Sequence, residues 1–241
     1  MLKLSELNIT GTKDSLKLLP DGKLLINTIN AHSFNVAQKD ALFAETLQNC
    51  DCLIPDGASI VKACKWLKTK SHPKERITGW DLFQIEMEKL NVKGGKCFFM
   101  GSSENVLKLI KERAANDYPH IIVDVFSPPY KNEFSEAEND VIIHSINESK
   151  PDLLWIGMTA PKQEKWTYIH WKDLNIHCHV GTIGAVFDFY AGTAKRAPIW
   201  WQEHSLEWLY RLIIEPRRMW RRYILGNPLF IWNITKEKFH K

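Results

Sequence analysis

Apolar and polar positions alternate along the chain in a regular way: short apolar runs recur, separated by stretches long enough for a helix. Leu24–Ile29, 52–54, 97–100, Ile121–Phe126, 152–156 and 177–180 read as strands. Between them, 31–49, 58–69, 81–90, 104–116, 135–149 and 162–171 read as helices. Ser135 followed three residues later by Glu138 is a capping-box start. Strands that alternate with helices imply crossover units and a parallel sheet. Strands covered on both faces show continuous apolar runs rather than strict alternation, as most of these do. The predicted class is α/β, a Rossmann-like parallel sheet flanked by helices. Residues 1–195 form its catalytic domain, and 196–241 form a helical appendage.

In such sheets ligands bind at the carboxyl ends of the strands. Polar and small residues gather there. Thr28, Asn30 and His32 follow the first strand, and Pro55-Asp56-Gly57 the second. Gly101-Ser102-Ser103 follows the third. Gly157, Pro161, Lys162, Gln163 and Glu164 follow the 152–156 strand, and Gly181 through Gly184 to Phe187 and Asp188 follow the last. Glycine at a strand-to-helix turn lets a ligand approach the backbone, and the helix N-terminus beyond favours anions. Gly101-Ser102 and Gly181-x-x-Gly184 are therefore candidates to hold a nucleotide or its phosphates. A carboxylate at Asp56, facing Thr28 and Asn30, is placed to act as a general base. His32 reads either as a second base or as a surface histidine. Lys162 and Gln163 offer donors to phosphate or sugar hydroxyls. G-x-G-x-x-G and the Walker A lysine motif are both absent, which argues against NAD and ATP chemistry.

Composition alters this picture only in where the charge lies. The hydrophobic fraction of 44% and charged fraction of 25% are those of an ordinary globular chain, and 241 residues suffice for a large core. Of the net charge of +4, residues 211–241 carry +6 (eight Lys/Arg, two acids), which leaves −2 for the rest. Five cysteines, an odd number with no second pair beside Cys50 and Cys52 at zinc spacing, read as buried free thiols in a reducing compartment. The first ten residues do not look like a secretory leader. No apolar run reaches the roughly 18–20 residues of a spanning helix. The expectation is a cytoplasmic protein that touches a membrane from outside.

Six of the eight arginines fall in 196–223, interleaved with tryptophan, tyrosine and leucine. Arginine binds phosphate with a planar fork, and Trp and Tyr favour the lipid–water boundary. Arg196, Arg211, Arg217, Arg218, Arg221 and Arg222 are thus the candidates for a lipid diphosphate or anionic headgroups. Leu206, Leu209, Tyr210 and Ile213 fall at helical spacing, a face that suits either the core or the surface. Beyond Pro216, Met219, Trp220, Tyr223, Ile224 and Leu225 read as membrane-facing. The same tail alone would suit a nucleic-acid backbone, and the rim alone a soluble nucleotide. The two together favour a phosphate-bearing lipid and no nucleic acid.

The ordered strings T-I-N-A-H (28–32), P-D-G-A-S-I-V (55–61), R-I-T-G-W-D-L (76–82), G-M-T-A-P-K-Q-E-K-W (157–166), G-T-I-G-A-V-F-D-F-Y-A-G (181–192) and L-E-W-L-Y-R-L-I-I-E-P-R-R (206–218) cover nearly the whole chain. In them the sequence resembles the WecG/TagA/CpsF glycosyltransferases of bacterial surface-polysaccharide synthesis. The resemblance implies inverting transfer from a UDP-sugar to an undecaprenyl-diphosphate-linked GlcNAc acceptor at the inner face of the cytoplasmic membrane. It implies Asp56 as base, Thr28, Asn30 and Gln163 as positioning groups, Arg76 as a further cation, and 181–188 in the nucleotide-sugar pocket. An Asp-x-Asp metal motif is absent here as in the family, so metal-independent transfer with no cofactor is expected. The donor sugar and a monomeric or homo-oligomeric state are left open.

Overall fold

The strand runs settle into one six-stranded sheet, most of whose residues are buried. A computed structural model describes residues 2–239; Met1, His240 and Lys241, the last two within the 196–241 appendage, lie outside the described residues. The strands are β1 Leu24–Ile29, β2 Cys52–Pro55, β3 Gly95–Gly101, β4 Ile121–Phe126, β5 Leu153–Gly157 and β6 His179–Thr182. All pair in parallel, in the order β2-β1-β6-β5-β3-β4. The last strand begins two residues later than the sequence suggests and takes in Gly181 and Thr182.

The helices are α1 Lys13–Lys17, α2 Ala31–Ala37, α3 Ala41–Gln48, α4 Ala58–Leu67, α5 Gly79–Lys93, α6 Glu104–Asp117 and α7 Glu136–Ser149. They continue with α8 Lys162–Ile169, α9 Val186–Ala191, α10 Ile199–Glu203, α11 Glu207–Ile214, α12 Pro216–Trp220 and α13 Gly226–Phe239. Ser135 caps α7 in a box with Glu138, and Thr78 caps α5 in a box with Asp81. The helix expected over 31–49 is two: Asp40 accepts from the Phe43 N–H and starts α3, so a new N-terminus interrupts the run. Helix α9 follows the Gly181-x-x-Gly184 turn.

The two-residue period of the strands sorts the core. Ile26, Ile54, Phe99 and Trp155 face α5, α6 and α9 on one side. On the other side, Phe98, Leu154, Ile156 and Val180 meet α7 and α8. Ile29 and Leu53 meet α2, α3 and α4. Phe230 and Ile234 of α13 join this last cluster, where Phe230 packs edge-on against Phe34 at 5.6 Å. The chain from Pro216 to Phe239 is helical throughout, with a π-helical turn at Arg221–Leu225. Its far end is therefore seated on α2 and α4.

At the amino end of β6, His179 lies buried against α5. Its Nδ1 is 2.8 Å from Glu86 Oε2, and its Nε2 is 2.9 Å from the Pro20 carbonyl. Both partners accept, so both ring nitrogens donate and the ring is an imidazolium. Lys89 completes the cluster, 3.1 Å from Glu86 Oε1.

Candidate active site

All six strands end on one rim, and the candidate residues converge there in a cleft of about 1520 Å³. The crossover from β3 runs outward to β4, whereas that from β5 runs inward to β6, and this divergence opens the rim.

Asp56 follows β2 directly, opposite the end of β1, where Thr28 and Ile54 stand in register. The Ile77 N–H donates to the Pro55 carbonyl at 3.1 Å, which docks the 72–78 segment beside β2 and brings Arg76 to Asp56. The guanidinium of Arg76 lies 3.5 Å from Asp56 Oδ1 and 2.6 Å from Glu207 Oε2 of α11. Its Nε–H is buried without a partner. Burial pushes the Asp56 carboxyl above the ordinary carboxylate range; Arg76 opposes the shift, and Glu207 adds to it. Such a carboxylate is a stronger base than a solvated one.

Asn30 does two things. Its Oδ1 accepts from the N–H groups of His32 and Ser33 at 3.0 and 3.1 Å and so caps α2. That leaves its amide N–H groups for a ligand. Burial, aided by Arg222, pushes His32 down to about 4, so at neutral pH the imidazole is uncharged.

On the β5 side, the Met158 N–H donates to Gln163 Oε1 at 3.1 Å, and Gln163 Nε2 donates to Glu164 Oε1 at 2.8 Å. The Gln163 amide is thereby fixed in orientation. Glu164 is 1% exposed, and its Oε2 has no partner. Burial pushes its carboxyl up to about 7.

Of the remaining candidates, Ser102, Gly157, Pro161, Lys162, Gly184, Phe187 and Asp188 line the cleft, as do Arg196, Arg211, Arg218 and Arg222. Four do not: Gly101, Gly181, Arg217 and Arg221. Gly101, at φ +122°, packs its Cα against the backbone of Gly157, and Gly181 makes room for the Trp155 ring. At both positions packing within the sheet itself requires glycine. Arg217 and Arg221 point to solvent. Arg222 is the reverse case. It is partly buried, its Nε–H has no partner, and burial lowers its pKa.

The tail also divides differently from the sequence reading. Met219 is 1% exposed and belongs to the interior, and Tyr223 lines the cleft. Ile213, Ile214, Ile224, Leu225 and Trp220 remain exposed. Among the described residues no helix is long and apolar enough to cross a membrane. Glu207 is the site residue that the sequence does not reveal, since an acid in the first turn of a helix carries no local sign of a partner 131 positions away.

The model of the glycosyl transferase WecG/TagA/CpsF family matches residues 2–241. An N-acetylglucosaminyldiphosphoundecaprenol N-acetyl-beta-D-mannosaminyltransferase of Bacillus subtilis (strain 168) is 28% identical over 217 residues, 90% of this chain and 81% of the relative. The protein of the same name from Staphylococcus aureus (strain NCTC 8325 / PS 47) is 28% identical over 215 residues, 89% of this chain and 81% of the relative.

Proposed function

The chain belongs to the WecG/TagA/CpsF glycosyltransferase family, and from that premise we propose that it transfers a sugar, with inversion, from a UDP-sugar to a GlcNAc-type acceptor carried on undecaprenyl diphosphate. The observation that carries this reading is the Asp56 carboxylate at the head of a cleft that also gathers five arginines, Arg76, Arg196, Arg211, Arg218 and Arg222. The acceptor hydroxyl oxygen bonds to the anomeric carbon from the face opposite UDP. The bond from that carbon to the β-phosphate oxygen breaks, and UDP departs with its electron pair. Asp56 takes the hydroxyl proton. Thr28, Asn30 and Gln163 position the reacting sugars. Arginine side chains offset charge on the leaving diphosphate and hold that of the acceptor, with no cofactor in the scheme.

The relatives' names make N-acetylmannosamine the first sugar to try, here as its UDP derivative. The test is UDP release across a panel of UDP-sugars with a GlcNAc-diphosphate-lipid acceptor. Release that depends on both substrates supports the reading, and no release with any donor removes it.

The exposed apolar side chains at the turns joining α11, α12 and α13 support peripheral attachment to an anionic bilayer, with Arg217 and Arg221 beside them. Each large apolar side chain buried in lipid contributes roughly 1.5–3 kcal/mol. Ile224→Asp with Leu225→Asp is therefore expected to reduce flotation with anionic vesicles at least tenfold, while turnover of a water-soluble acceptor persists. Undiminished flotation would place the membrane contact elsewhere.

A further inference from the structure

The cleft does not end at the arginines. One face of the 216–239 helical run lines part of it from Arg218 to Ile234, and the face changes character on the way. Arg218 and Arg222 come first, Tyr223 and Asn227 follow, and Phe230, Ile231 and Ile234 close the series at three- and four-residue spacing. Opposite stand Lys62, Ala63 and Trp66, which share one face of α4. The floor of this branch is sealed: Phe230 is 5% and Ile234 2% exposed. Its walls are open, with Ile231 62% and Trp66 45% exposed. Lys238 Nζ donates to the Trp66 carbonyl at 2.9 Å and ties the two helices together at the far end. At 1.5 Å per residue, Ile231 lies about 13 Å along the axis from Arg222.

An apolar branch that begins at a partly buried guanidinium whose Nε–H has no partner matches a molecule with a diphosphate at one end and a hydrocarbon chain at the other. Resting on the acceptor class proposed above, we infer that the groove between α4 and α13 binds the first isoprene units of the acceptor's lipid chain, with its diphosphate at Arg222. Trp232 and Phe239, further exposed apolar side chains on the same helix, offer apolar surface to the rest of the chain. The exposed Ile231 and Trp66 side chains contribute affinity when the lipid covers their apolar area, and the arginine end fixes which end of the lipid enters.

The test uses the full chain and two water-soluble acceptors, GlcNAc-diphosphate esterified with a ten-carbon prenyl group or with methyl. Ile231→Asn and Trp66→Ser are compared with the unaltered chain after thermal melts have established that each variant folds. The prenyl acceptor is expected to have a KM at least tenfold below that of the methyl acceptor. Each variant is expected to raise the prenyl KM about tenfold and to leave the methyl KM and the donor KM unchanged. Equal effects on both acceptors, or none, would overturn the assignment. Titration with geranyl diphosphate and with inorganic diphosphate separates the groove from the reaction. Tighter binding of the prenyl compound that Ile231→Asn abolishes supports the groove even if no sugar is transferred. Equal binding of the two compounds sinks the groove even if transfer occurs.

Discussion

Asp56→Asn is expected to lower turnover by about 10²–10⁴ with the melting temperature nearly unchanged, because it removes a general base and replaces it with an isostere. The pH profile supplies the sharper check. Burial raises the Asp56 pKa above the usual carboxylate value. In the unaltered protein kcat/KM should therefore fall as pH drops through that raised value, on a limb that lies higher than an ordinary aspartate would give. The residual activity of Asp56→Asn should lack the limb, since an amide does not titrate. Full activity in the variant, or a limb that survives it, would move the base to another residue. His32, uncharged down to about pH 4, would be the next to replace.

The second large effect is expected from Arg76→Ala. This guanidinium lies between two carboxylates, 3.5 Å from Asp56 and 2.6 Å from Glu207. Without it, burial and Glu207 both act unopposed by the largest countercharge on Asp56. The base stays protonated to higher pH, and its acid limb should shift upward. Loss of a preorganised cation at a site of developing charge adds to this, so kcat/KM should fall by about 10²–10³ at neutral pH. Glu207→Gln in the same chain should recover part of that loss, because it removes the orphaned charge. If Arg76→Ala leaves the limb in place, the two groups do not interact in the working enzyme.

Much of this site could be read in advance, for a physical reason. Strands of a parallel sheet are mostly apolar, so LLINTI and IIVDVF announce themselves, and the polar residues that end each run mark the rim. Asp56, Thr28 and Gln163 were legible in this way. The break between α2 and α3 was not, because Asp40 reads equally well as a solvated helical residue until its side chain is seen to accept from Phe43. The capping duty of Asn30 was hidden for the same reason. The appendage was the least legible part. Whether an apolar tail residue turns inward or outward depends on which helix it meets, and neither Met219 nor Phe230 carries that information in its neighbours. The contact of Arg76 with Glu207 is of the same kind: a long-range pairing that only the folded chain brings about.

The buried Glu86–His179 pair lies at the opposite end of the sheet from the cleft, so it gives the protein a second pH limit of a different kind. Burial opposes the imidazolium, but the Glu86 carboxylate and the Pro20 carbonyl outweigh it and hold the His179 pKa above its usual 6.5. Burial likewise opposes the Glu86 carboxylate, and His179 with Lys89 holds its pKa below 4.5. Stability from the histidine is complete below its unfolded pKa and fades as pH rises through the folded one; stability from Glu86 fades only in acid. Thermal melts should therefore soften on the alkaline side, the direction in which the Asp56 base gains charge. His179→Gln should flatten that slope without moving the acid limb of catalysis. An assay pH chosen for the fastest turnover will then not be the pH at which the protein keeps longest.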